Sequence, residues 1–300
     1  MDKIKLIYNP NAGDRKFKEA LDDACSIFQG AGYELSIFRT ACQEDIGRQV
    51  ARLDDNYKAL IISGGDGTIN YAINALLRNE KDIPLGIIPS GTANDFAQFI
   101  GLPKDPARAL EAMAHGEVAE VDVGLANDRY FINVCGAGLF ANISHNMDGR
   151  FKASFGKMAY YMKTIGEMPN FEPFSVKISH SRGVMHEDIY MFLALNSSGA
   201  GGFDRLAPDA SIYDGRFDFV AFRACSLLEL GRLFFKVLKH NYIDDPNTIY
   251  LQDSLVTVEC IDSKSPFGIY DVDGELGGEL PVTIKTVHKG LRLLIPKQKG

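Results

Sequence analysis

The apolar run Ala59-Leu60-Ile61-Ile62 ends in Ser63 and then in Gly64-Gly65-Asp66-Gly67-Thr68, and no other stretch constrains this chain as strongly. The amphipathic residues 69–77 (INYAINALL) follow at once. Such an order reads as a buried strand, a tight glycine turn and a helix. Glycine lets backbone approach a ligand closely, and a helix amino terminus offers unpaired N–H groups to an anion. Ordinary α/β connections use glycine too. What favours phosphate here is the ionisable Asp66 at the apex, where a carboxylate can hold a metal or steer a phosphate.

The rest of the first 125 residues repeats the same rhythm. Apolar runs at 4–8, 35–38, 59–62 and 85–88 are separated by stretches with helical spacing, one through Phe17, Leu21, Ala24 and Phe28, another through Ile46, Val50 and Leu53. Alternating β and α elements predict a parallel sheet covered by helices on both faces, with ligands gathering at the carboxyl ends of the strands. The distinctive loops fall at those ends. They are Asn9-Pro10-Asn11-Ala12-Gly13, Thr40, residues 64–68, and Pro89-Ser90-Gly91-Thr92-Ala93-Asn94-Asp95-Phe96. Each alone is a common turn or a helix cap. Together they point to a nucleotide site.

From about residue 126 the texture changes. Runs at 129–135, 174–179, 189–195, 216–222, 249–260, 267–272 and 282–287 read as strands, several with period-two alternation, as at Phe217, Phe219 and Ala221. Helical stretches are expected at 155–167 and 226–238. This is the pattern of a mostly antiparallel β domain. The apolar residues 291–295 can return to the first domain. The expected layout is therefore two domains, an α/β domain of residues 1–125 plus about 288–300 and a β-rich domain of residues 126–287.

Composition narrows the function classes. With 300 residues, 46% of them apolar and 24% charged, the chain can bury a sizeable core. A net charge of −7 argues against general nucleic-acid binding. Five scattered cysteines without CxxC spacing suggest neither a disulfide framework nor a zinc site, which fits a reducing cytoplasm. The first residues are too charged for a signal peptide, and no apolar run approaches the ~20 residues of a membrane span. Membrane contact is thus expected to be peripheral. Residues 150–163 mix basic and large apolar side chains, and either lie on an anionic membrane or pack Phe155, Met158 and Met162 into a core.

Two acidic clusters in the second half carry candidate chemistry. Pro208-Asp209-Ala210-Ser211-Ile212-Tyr213-Asp214-Gly215-Arg216 contains a good turn signal, and a carboxylate beside inward-turned carbonyls can hold a hard cation such as magnesium. In Asp271-Val272-Asp273-Gly274-Glu275, alternation puts the three carboxylates on one side if the strand persists through Gly274. Crowded carboxylates raise one pKa or recruit a cation. The plain alternative is a solvated hairpin end. No GxSxG elbow, GxxxxGK[ST] loop or HExxH spacing is present.

These motifs, in order and spacing, resemble the diacylglycerol kinase catalytic-domain family, in its soluble bacterial lipid-kinase branch, with sphingosine and ceramide kinases as more distant relatives. The resemblance implies an α/β fold of two domains, a parallel nucleotide-binding domain and a mostly antiparallel, β-sandwich-like domain. It implies ATP and Mg2+ as cofactors and transfer of the γ-phosphate to a lipid hydroxyl, most readily diacylglycerol to give phosphatidic acid. By the same resemblance Asn9, Pro10, Asn11, Ala12, Gly13, Thr40, Gly64, Gly65, Asp66, Gly67, Thr68, Ile69, Asn70 and Thr92 cradle ATP. Asp66 lies near the phosphates and magnesium, and Glu275, assisted by Asp273, takes the proton from the acceptor. A structural metal maps onto Asp214 with the carbonyls of Ser211 and Arg216. Ala12 stands where many relatives carry serine, so phosphate contact there falls to backbone N–H groups. The expected setting is cytoplasmic, at the inner face of the membrane, with a lipid partner, no nucleic acid and a possible homodimer.

Two rival readings share the glycine motif. An NAD kinase-like or other soluble-substrate kinase is disfavoured by the 91–96 motif and by the lack of a Gly-Ser-Thr-Ala-Tyr-like segment downstream. A non-catalytic nucleotide or lipid sensor is disfavoured by the intact acidic residues.

Overall fold

The computed structural model describes residues 2–138, 172–200, 203, 205–261 and 268–297. The expected helix at 155–167 and the basic segment at 150–163 lie outside the described residues.

The first half follows the predicted alternation. Strand β1 (Asp2–Tyr8) leads through a short 3-10 turn into helix α1 (Leu21–Gly30) and β2 (Tyr33–Arg39). Then come α2 (Glu44–Ala51), β3 (Tyr57–Gly64), α3 (Asp66–Arg78) and β4 (Leu85–Pro89). The short α4 (Asp95–Phe99) and then α5 (Pro106–Ala114) complete the unit. The pairings β2-β1-β3-β4 are all parallel. α1 packs with α5 and α2 with α3, so each face of the sheet is covered. The central strands read as continuous apolar runs because both their faces are buried, with Leu60, Ile61 and Ile62 fully excluded from water.

The second half is antiparallel and more finely divided than the sequence suggests. Residues 129–135, expected as one strand, form β6 (Arg129–Phe131) and β7 (Val134–Gly138) after the long β5 (Glu117–Ala126). β8 (Phe174–His180) and β9 (Gly183–Leu195) make a hairpin, and β10 (Phe217–Arg223) pairs with β9. The run 249–260 also splits, into β11 (Thr248–Asp253) and β12 (Leu255–Cys260), because Asp253 turns back to accept the amides of Ser254 and Leu255. β13 (Ile269–Val272) and β14 (Glu275–Glu279) form a hairpin. β15 (Val282–Ile295) is longer than expected and absorbs residues 291–295 into one strand.

That last strand joins the halves. Its start pairs with β12, most of its length pairs with β5, and Leu293 pairs with Leu85 of β4 in parallel. The strands thereby belong to one continuous hydrogen-bonded sheet running from β14 to β2. Alternation in β10 also has a second meaning. Phe217, Phe219 and Ala221 enter the core of the β half, while Val220 and Phe222 enter a separate core beneath helix α6 (Leu227–Leu238). Both faces of β10 are buried, so its period-two pattern separates two cores rather than core from solvent.

Candidate active site

A cleft of about 430 Å³ opens at the carboxyl ends of the parallel strands, within the usual range for a small-molecule site. Asn9, Asn11 and Ala12 line it from the first loop, Thr40 to Gln43 from the second, Gly65, Gly67 and Thr68 from the third, and Glu275 from the β half. Asn9 organises one wall. Its Nδ2 donates to Thr68 Oγ1 at 3.2 Å, and its Oδ1 accepts the Asn11 amide at 2.9 Å.

Glycine is required where the loops pack backbone against backbone. A Cβ on Gly13, which has φ +50°, would lie 2.2 Å from the Ser90 carbonyl oxygen, and one on Gly91 would lie 2.4 Å from Gly65 Cα. Gly65 is the N-cap of α3, and no side chain caps that helix. The first-turn N–H groups therefore open toward the cleft, where Gly65, Gly67 and Thr68 are exposed to it. Uncapped amides at a helix amino terminus suit an anion, and the missing side chains leave room for phosphate oxygens.

Asp66 sits just behind this edge. Its Oδ2 accepts the Asn94 amide at 2.9 Å, and Asn94, in the left-handed region at φ 53°, clamps Gly91 through both its amide atoms. Burial, first, and the nearby Asp95 charge push the Asp66 carboxyl up to about 6. A half-satisfied, crowded carboxylate is suited to a cation. Among the described residues no three His, Cys, Asp or Glu side chains gather closely enough to hold a metal alone.

The opposite wall is the β13–β14 hairpin. Asp273 and Gly274 both have positive φ, 51° and 87°, and form its two-residue turn, since Val272 pairs directly with Glu275. The expectation that Asp271, Asp273 and Glu275 share one side fails for that reason: the turn reverses the strand between them. Asp271 is buried and accepts the Gly274 amide at 2.7 Å. Asp273 is buried and accepts four hydrogen bonds, from the amides of Ile132, Asn133 and Val134 and from Asn70 Nδ2, at 2.8–3.0 Å. Burial pushes its carboxyl up, and those donors oppose the shift. Glu275 instead faces the cleft. It is ion-paired with Arg129, accepts from Gln43 Nε2 at 3.4 Å, and places Oε1 3.0 Å from where a Cβ on Gly67 would stand. Side chains on α3 fix this meeting of the halves. Asn70 and Asn74 both donate to the Tyr130 carbonyl at 2.9 Å, and Asn74 Oδ1 accepts the Tyr130 amide.

Comparison with known proteins settles the family. Residues 3–126 match the model of the diacylglycerol kinase catalytic domain, and residues 133–295 match that of the YegS C-terminal NAD kinase beta sandwich-like domain. A protein of Bacillus subtilis (strain 168) named diacylglycerol kinase is 33% identical over 303 residues, covering 100% of this chain and 98% of its own. The chain belongs to the diacylglycerol kinase family. A Staphylococcus carnosus (strain TM300) protein of the same name is 31% identical over 98% of this chain and 95% of its own. A crystal structure of a diacylglycerol kinase from Bacillus anthracis str. Sterne superposes with a TM-score of 0.81 at 26% identity, covering 99% of this chain and 98% of that one. The fold is thus the family's two-domain architecture, and this family member is a lipid kinase. Among the described residues no helix is long and apolar enough to cross a membrane.

The fold distributes the expected site residues unevenly. Asn9, Asn11, Ala12, Thr40, Gly65, Gly67, Thr68 and Glu275 line the cleft of this diacylglycerol kinase family member. Pro10, Gly13, Gly64 and Asp66 support it from the same loops, and Thr92 is exposed beside it. Ile69 and Asn70 point inward and are buried. Ser211, Asp214 and Arg216 lie in one turn, where Asp214 Oδ1 accepts the Arg216 amide at 3.0 Å and Ser211 Oγ accepts the Tyr213 amide at 3.2 Å.

Sequence reasoning missed three contributors. Arg129 and Gln43 meet Glu275 from distant positions, and nothing local marks them. Asn94 stood in the marked 89–96 loop, but its bracing of the two glycine loops did not show in the sequence. Asp122 had a visible signal, a carboxylate inside the apolar run Val121-Asp122-Val123. It is fully buried, accepts the Gly215 and Lys289 amides at 2.6 and 2.8 Å, and bonds His288 Nδ1 at 2.7 Å. It thereby ties the 208–216 turn to β15.

Proposed function

We propose that this lipid kinase transfers the γ-phosphate of ATP, with Mg2+, to the hydroxyl of diacylglycerol, giving phosphatidic acid. One observation carries the reading: Glu275 is presented to the uncapped first turn of α3, so a carboxylate base and a phosphate cradle face each other across one cleft. Phosphoryl transfer needs charge neutralisation, in-line positioning and a modest base, with little covalent chemistry by the protein. Backbone amides of Gly65 to Thr68 and the 9–13 loop hold the phosphates, and Asp66 would share in holding the magnesium. The ion supplies neutralisation of charge on the transferring group. Glu275 accepts the proton of the acceptor hydroxyl. Arg129 and Gln43 orient that carboxylate, and Asp273 is a positioning residue because its acceptor capacity goes to the amides of Ile132, Asn133 and Val134 and to Asn70 Nδ2. Asp214 and the carbonyls of Ser211 and Arg216 would hold a structural cation. The names of the Bacillus and Staphylococcus relatives support diacylglycerol as the acceptor.

Transfer of labelled γ-phosphate into mixed micelles tests this, with diacylglycerol, phosphatidylglycerol, a sphingoid base and, separately, NAD as acceptors. Labelled phosphatidic acid is the expected product. Label in NAD, or none in any lipid while ATP still binds, would overturn the reading.

A further inference from the structure

Asp273 is held by an unusual piece of backbone between β6 and β7. In a regular strand successive N–H groups point to opposite edges. Here three in a row, those of Ile132, Asn133 and Val134, turn to one carboxylate, in the manner of an anion-binding nest. The carbonyls of the segment need partners of their own, and the β5–β6 ladder has already ended at Gly124 and Phe131. Val134 O accepts the Asp273 amide at 2.9 Å. The other two carbonyls go to a single residue. Asn196 donates its backbone N–H to Asn133 O at 2.9 Å and its Nδ2 to Ile132 O at 3.0 Å. Nδ2 also donates to Asp122 O of β5 at 3.0 Å, so the side-chain amide joins β5 to the 132–134 segment where their ladder has stopped. Asn196 directly follows β9, is 1% exposed and does not line the cleft. Among the described residues its Oδ1 meets no donor. A buried amide with an unmatched oxygen is a poor choice for stability alone, and its two donated bonds are what set it apart.

We infer that Asn196 is a positioning residue for phosphoryl transfer, holding from behind the amide nest that fixes Asp273 and so setting where the β13–β14 hairpin presents Glu275. The inference rests on the reading that Glu275 takes the acceptor proton. The geometry lies in two peptide groups. In a planar trans peptide the C=O and the following N–H point in opposite directions. The unit joining Ile132 to Asn133 is gripped at its oxygen by Asn196 Nδ2 and at its N–H by Asp273 Oδ1. The unit joining Asn133 to Val134 is gripped at its oxygen by the Asn196 N–H and at its N–H by the same Oδ1. Asn196 and Asp273 thus clamp both planes from opposite ends, and each bond polarises the next. Asp273 and Gly274 are the turn that leads directly to Glu275. A base must stand within hydrogen-bond reach of the proton it takes, and a shift of about 1 Å can cost a hundred-fold in rate. Loss of the Asn196 donors frees two of the three planes that aim at Asp273, while the phosphate cradle of α3 stays on the other half.

A double-mutant cycle and amide exchange on the full chain test the role. Asn196→Asp keeps the shape and removes the side-chain donors, and Asn196→Ala removes the donors without adding charge, so a folding failure in one leaves the other. Each should lower kcat about ten- to a hundred-fold with the KM for ATP unchanged. In a Glu275→Gln background the same change should cost less than about twofold, because the group that Asn196 positions is already gone. Amide exchange should quicken in residues 128–136 and 269–279 and keep its wild-type rate in Tyr57–Gly64 of β3. Equal fold-losses in the two backgrounds overturn the proposal. So does unchanged exchange at the hairpin, or faster exchange throughout in both variants, which marks a general loss of stability. If wild type phosphorylates no lipid, the acceptor reading fails, and the exchange pattern alone decides the positioning role.

Discussion

Two buried aspartates, one on each side of the cleft, are held in opposite ways. Asp66, at the start of α3, accepts the Asn94 amide and interacts with its own backbone amide, and shares its surroundings with another carboxylate. Asp273, at the turn of the β13–β14 hairpin, accepts four donors and exhausts its capacity on them. Both are pushed up by burial, yet only one is left with unused acceptor positions. A buried carboxylate with unmet capacity is costly to the fold and available to a cation, whereas one with all its partners behaves as a structural bolt. The α/β side of the cleft is thus built to receive charge, and the β side is built to hold Glu275 still.

The sharpest test of that contrast is chemical. Glu275→Gln keeps the contact with Arg129 through a neutral amide and removes the carboxylate proposed as the base, so turnover should fall by about 10²–10⁴ with an unchanged melting temperature. A rate within a few-fold of wild type would take the proton-accepting role away from the hairpin. Asp273→Asn comes next, through stability. An amide nitrogen cannot accept, so two of the four donors lose their partner, at about 1–3 kcal/mol each. Urea midpoints should drop accordingly, and a wild-type midpoint would show that water or a rearranged Asn70 replaces the carboxylate.

Asp66→Asn should do the reverse. The carboxyl is raised from 3.8 to about 6, so folding favours its protonated form, and ionisation destabilises the fold. That penalty is absent below about pH 4, grows through the interval between the two values, and is complete above about pH 6. The variant should gain up to about 3 kcal/mol over wild type at pH 7.5, gain nothing at pH 3.5, and lose phosphoryl transfer. Equal stability of the two proteins across this range would remove the strain argument. The smallest effect is expected at the seam between the halves. Asn74→Ala leaves the Tyr130 amide without its acceptor and should cost about 1–2 kcal/mol with activity reduced only modestly, as read by denaturation and micelle assays in parallel.

The contrast between the aspartates was invisible in the chain. Asp66 and Asp273 stand in similar glycine-flanked acidic motifs, Gly-Asp-Gly and Asp-Gly-Glu. The expected shared face of Asp271, Asp273 and Glu275 assumed that the strand continued, and the positive φ of Asp273 and Gly274 ended it. Likewise Asn70 has the address of a phosphate-loop residue yet turns inward to Tyr130 and Asp273, because the fifth residue of α3 lies on a face set by packing.

What the sequence determined by itself was local and periodic: the parallel alternation through Pro89, the glycines where two loops touch, and the four loops at one sheet edge. These follow from strand and helix periods and from the excluded volume of a Cβ, which act within a few residues. What only the tertiary structure decided was pairing over long separations. Arg129 and Gln43 reach Glu275, Asp122 receives the Gly215 amide and His288, and β15 fuses the two halves into one sheet. Buried donors and acceptors must each find a partner, and which partner is near depends on how whole sheets pack, a property that no stretch of sequence carries alone.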